Sequence, residues 1–163
     1  MPSNTTITAI HEAGHAVAAI RTGLVFDVVS AIPDDERQLD GALDWIDLHT
    51  EVAIVMPREA LALVLLAGAC AEAKLRGLRF DRVFSGVGAM DDRDAIASLM
   101  LSPEQFLAVS RDVVALVEQD WAAIERVARE LEAGAELDYD EVEELVVRCD
   151  EERDEDTGDS PVN

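Results

Sequence analysis

The chain has 163 residues, with 35 acidic against 13 basic side chains and a formal net charge of −22. That length suits one domain, and the 49% hydrophobic content supplies a core despite the charge. The anionic balance argues against nucleic acid and anionic membranes as partners, and the lone lysine, Lys74, follows Ala73 rather than glycine, so no Gly-Lys-Ser/Thr phosphate loop is present.

In chain order, the first periodic segment predicts a helix from about Thr5 to Thr22, with Ser3 or Asn4 as N-cap and Gly23 as its stop. Leu24 to Ile32, rich in β-branched residues and closed by Pro33, and Ala42 to Leu48 predict a small hairpin or sheet. Pro57 sits at the first turn of a second helix that runs through the nearly uncharged stretch Ala60 to Ala71 and ends near Gly77. That stretch is too short to span a bilayer and reads as a buried helix. A Gly-containing stretch, Ser85 to Ala89, precedes a helical segment from Asp91 to Leu101.

Ser102-Pro103-Glu104-Gln105 is a capping box opening a long helical region that breaks near Gln119 and stops before Gly134. Asp138 with Glu141 repeats that logic for a last helix, Tyr139 to Arg148. Residues 150–163 carry seven acidic groups and one arginine with almost nothing apolar, the composition of a disordered acidic tail. The expected organisation is therefore one mainly α domain with a small β-sheet (α+β) over residues 1–149, followed by the tail. Cys70 and Cys149 are too few and too scattered for a disulfide framework or a four-cysteine metal site. With no basic and apolar leader at the N-terminus, a cytoplasmic setting is expected.

His11-Glu12-Ala13-Gly14-His15 on the first helix is a His-Glu-x-x-His pattern that holds two of the chain's three histidines. Histidines four apart share one face of a helix, one turn from each other, where both can bind one zinc ion. Glu12 is rotated off that face but can reach a water beside the metal as a general base. A catalytic zinc site takes three protein ligands and leaves a fourth position open. The third ligand can come from His49, Glu72, or one of Asp91, Asp92 and Asp94, and spacing does not choose among them. Glu72, a carboxylate on an otherwise apolar helix, needs a partner and could instead orient a zinc-binding histidine from behind.

Four stretches together resemble the peptidase domain of the FtsH-type zinc metalloproteases. They are His11 to Ala16, Gly41-Ala42-Leu43-Asp44-Trp45, Val64 to Glu72, and Glu125 to Val146 with its ending at Leu137 to Leu145. The resemblance implies an FtsH peptidase-domain-like fold with the zinc motif on the first helix, and a zinc endopeptidase activity. It also implies that the third ligand is Asp92, in Gly88-Ala89-Met90-Asp91-Asp92, with Asp91 as the fallback. Ile96, Leu99 and Met100 would share the inward face of Asp92.

The family's ATPase module and transmembrane segments have no counterpart here, so cleavage is expected to be limited to peptides and to unfolded or flexible protein segments. A homo-oligomer or a separate ATPase partner is implied by the same likeness, as is pairing of an extended substrate with a sheet edge. Two other readings compete. In one, the domain binds zinc as an adaptor or regulatory module with little or no turnover; in the other, it is an acidic decoy for basic proteins.

Overall fold

The computed structural model describes residues 2–32, 42–45, 57–86 and 90–158. Helix α1, Asn4–Thr22, starts where the Ser3 side chain accepts a hydrogen bond from the Thr6 backbone N–H, which satisfies one of the free donors of the first turn. It ends at Gly23, whose left-handed φ of 72° lets the Gly23 and Leu24 N–H groups fold back onto the carbonyls of Ile20 and Ala19. From Ala9 to Ala19 the helix is buried at nearly every position, through Ala, Gly, Val and the two histidines. Small side chains there let neighbouring elements approach from several sides, and α1 packs chiefly on α2 (Arg58–Arg76) and α6 (Trp121–Glu132).

The sheet has the order β2-β1-β3 and is antiparallel throughout. Central β1 (Phe26–Ser30) pairs with β2 (Ala42–Trp45) in the register Val29 to Leu43 and with β3 (Glu136–Asp138) in the register Val29 to Leu137. The expected hairpin is therefore present and gains a third strand that the sequence reading lacks. Residues 46–48 of the second expected strand lie outside the described residues, as does His49.

Helix α2 begins after Pro57 and closes at Gly77, φ 61°, one residue from the predicted limits. A short helix α3 (Phe80–Phe84) follows, then α4 (Met90–Ser98) and α5 (Pro103–Gln119). α5 is opened by the predicted capping box, in which Ser102 Oγ accepts from Gln105 N–H and Gln105 Oε1 accepts from Ser102 N–H. Asp120 separates α5 from α6, the break expected near Gln119.

Two boundaries differ from expectation. Helix α4 stops at Ser98 rather than Leu101, and Met100, expected on the inward face, is 82% exposed at φ 51° as the chain turns toward Ser102. Ile96 is buried and Leu99 packs on the core, so the inward face otherwise stands. Helix α7 runs from Tyr139 to Gly158, well past the residue-149 boundary. Its extra turns are tied to the body, with Asp150 accepting from Arg21 at 2.8 Å and Glu152 from Arg126 at 2.6 Å. Those cations come from distant parts of the chain, which a local reading of an acidic segment does not anticipate. Among the described residues no helix is long and apolar enough to cross a membrane.

Candidate metal centre

Helical spacing brings His11 and His15 onto one face of α1, with ring centroids 4.8 Å apart and planes crossed at 70°. Both rings are buried. Asp92, in the first turn of α4, reaches across to them: its Oδ2 lies 3.4 Å from His11 Nε2 and 3.5 Å from His15 Nε2. One ligand atom from each of the three residues falls within a 4.8 Å cluster. A tetrahedral ion with bonds of about 2.0–2.1 Å holds its ligand atoms roughly 3.3–3.4 Å apart. The two imidazole-to-carboxylate separations match that edge.

The other ring nitrogens are committed elsewhere. His15 Nδ1 donates to the Val64 carbonyl at 2.8 Å, and His11 Nδ1 donates to Glu72 Oε2 at 3.4 Å. Each bond places a proton on Nδ1 and turns Nε2 toward Asp92, so that Nε2 is the atom each ring would offer to a metal ion. Both acceptors belong to α2, which runs antiparallel to α1 so that Val64 lies beside His15 and Glu72 beside His11. Midway between them is Gly68. A Cβ on Gly68 would lie 2.3 Å from His15 Nε2 and 2.7 Å from His11 Nε2, so the imidazoles occupy the space a side chain would take. Val64, Gly68 and Glu72, spaced by four, thus form one stripe on α2 that backs the histidine pair.

Burial alone would lower the His11 imidazole, yet hydrogen bonds to Asp92 and Glu72 outweigh it and push it up to about 10. His15 is likewise raised, burial being overcome by the charge of Asp92. For Asp92, burial would raise the carboxyl, but the two histidines hold it well below the usual carboxylate range. To hold a divalent ion, His11 and His15 would each give up the Nε2 proton, so binding would release protons. Glu12, half-buried beside them, is pushed up by burial, with the histidines only partly offsetting that rise.

No family model matches the chain, and no curated protein does. The chemistry of the centre therefore rests on its own atoms. Once their Nε2 protons are displaced, two imidazoles and one carboxylate would form a donor set suited to zinc and to related divalent transition ions, and three protein ligands would leave a fourth position for a water or substrate.

Of the residues singled out from the sequence, His11, His15 and Asp92 converge, and Glu72 stands behind His11. Asp91 and Asp94 are exposed and outside the cluster, while Gly88, Ala89 and His49 lie outside the described residues. Two parts of the centre were missed: the Val64 carbonyl, which carries no side-chain signal, and Gly68. A glycine inside an apolar helix costs about 0.5–1 kcal/mol relative to alanine, so Gly68, one turn before Glu72, was the available clue.

Proposed function

We propose that the chain is a zinc-dependent endopeptidase, resembling the FtsH-type peptidase domain, that cleaves peptides and unfolded or flexible protein segments. The observation that carries this reading is the convergence of Asp92 on the two Nε2 atoms whose tautomers are set from behind. His11, His15 and Asp92 would hold the ion. When bound, zinc polarises a carbonyl and brings the pKa of a water down toward about 7. Glu12 takes the proton from the attacking water and passes it to the leaving amine. A carboxylate raised by burial suits both halves of that transfer better than one held at its ordinary value.

An extended substrate can add to the edge of the sheet, where backbone groups lack a strand partner. Among the described residues, β2 and β3 form its two edges. The likeness to the family supports edge pairing and assembly as a homo-oligomer or with a separate unfolding ATPase, while two scattered free cysteines favour a reducing, cytoplasmic setting.

The test is zinc content together with cleavage of an unfolded protein, comparing wild type with Glu12→Gln. About one zinc per chain is expected in both, with activity reduced about 100-fold or more in the variant. A chain that takes up no zinc, or cleavage that survives Glu12→Gln, overturns the proposal. Zinc uptake without cleavage would instead favour a zinc-binding adaptor or regulatory domain.

A further inference from the structure

The α2 stripe that backs the histidines continues for one more turn beyond Glu72, to Arg76. Glu72 divides its two oxygens: Oε2 accepts from His11 Nδ1, and Oε1 accepts from the Arg76 guanidinium, an ion pair of spacing four on the same helix. The Glu72 side chain is largely buried while that of Arg76 is 40% exposed, so the arginine lies at the mouth of the stripe with its charge end on the carboxylate. A glutamate side chain has three rotatable bonds, and its bond to His11, at 3.4 Å, is long. On its own that contact is a weak constraint on the carboxylate.

We infer that Arg76 is a positioning residue for the metal centre, holding Glu72 in the rotamer that presents Oε2 to His11. The inference rests on the zinc reading above. The Arg76 guanidinium bonds to Glu72 rather than to His11, His15 or Asp92. It engages Oε1 and so fixes which oxygen is left for the imidazole, and the imidazole in turn keeps its Nε2 aimed at Asp92. The chain of contacts Arg76, Glu72, His11 carries orientation from the end of α2 to the ligand set. Groups that orient metal ligands from behind typically change metal affinity by about 10–100-fold when removed. One step further out, a smaller effect of the same sign is expected.

The experiment measures zinc affinity by chelator competition, and the visible spectrum of the cobalt-substituted site, on the full chain. Wild type is compared with Arg76→Met, Arg76→Lys, Glu72→Ala and the double variant Arg76→Met/Glu72→Ala. Arg76→Met keeps the aliphatic stem and a good helix former, and is expected to weaken zinc binding about three- to tenfold and to shift the cobalt bands. Arg76→Lys should recover most of the affinity. In the Glu72→Ala background, Arg76→Met should change nothing further, because an effect routed through Glu72 disappears with it.

Equal zinc binding by wild type and Arg76→Met overturns the inference while leaving the zinc reading intact. So does a loss that persists undiminished in the Glu72→Ala background, which would mark Arg76 as merely structural. A wild-type chain that binds no zinc overturns both.

Discussion

A single methyl group separates Gly68 from an alanine, and the two imidazoles leave no room for it. Its position 2.3 Å from His15 Nε2 forces the imidazole away, because the α2 backbone is pinned against α1. Gly68→Ala is expected to lower zinc affinity at least about tenfold, read by chelator competition, since a misplaced ligand costs more than the methyl gains in helix propensity. Gly14 faces the same helix pair from the other side, but there a Cβ would meet the Ala67 carbonyl oxygen at 2.8 Å and Ala71 Cβ at 2.9 Å. Gly14→Ala should therefore act on packing, destabilising by about 1–3 kcal/mol in urea titrations. Asp92→Asn should weaken zinc binding much more than Asp91→Asn, because only the former reaches the two Nε2 atoms; equal effects would move the third ligand elsewhere. The histidine spacing was legible because it repeats within one helix turn. Asp92 needed the likeness to a family, because its partner lies some eighty residues earlier and no local pattern joins them.

At the scale of elements, the end of α1 is tied to two distant helices through one arginine. Arg21 donates through Nε and Nη2 to Asp120, the nearly inaccessible residue between α5 and α6, and through Nη1 and Nη2 to Asp150 on α7. Arg21→Leu leaves the Asp120 carboxylate buried without that partner and is expected to cost about 3 kcal/mol, measured by urea unfolding. Asp150 is different, being nearer the surface.

The Arg21 hydrogen bonds hold the Asp150 carboxyl below its ordinary value. A depressed carboxylate contributes its stability above the unfolded-state pKa of about 3.9 and loses it as pH falls through the folded value. The stability difference between wild type and Asp150→Asn should accordingly be constant from pH 8 to about 5 and shrink below about pH 4. A difference that grows on acidification would contradict the assignment. These long-range pairs also explain what the sequence concealed. Caps at Ser3, Gly23, Gly77 and Ser102 are local and were readable. The continuation of α7 through a run of like charges depends on Arg21 and Arg126, and strand β3 is a three-residue segment defined by its pairing with Val28 to Ser30.

At the scale of the molecule, the charge of −22 is not spread evenly in its effects. Part of it is internal: Asp92 faces two imidazoles, Glu72 lies between His11 and Arg76, and Asp120 is matched by Arg21. These groups hold the site and the helices together and contribute little to the outer field. Much of the rest lies on exposed faces, including the first turns of α7, where Asp140 and Glu141 stand.

Such a surface attracts cationic chains and repels anionic ones over roughly a Debye length, about 10 Å at 0.1 M salt, and raises encounter rates for the favoured charge. For two unfolded peptides of equal length and the same scissile sequence, one flanked by lysines and one by glutamates, kcat/KM should favour the basic peptide at low salt. Because such a preference would arise from encounter rather than from the proposed zinc chemistry, it should reside mostly in the association step, leaving kcat nearly equal. Raising sodium chloride from 0.02 to 0.5 M should then bring the two rates together, chiefly by slowing the basic peptide. A preference for the acidic peptide, or a basic preference that salt does not diminish, would show that specific pockets rather than the anionic surface select the substrate.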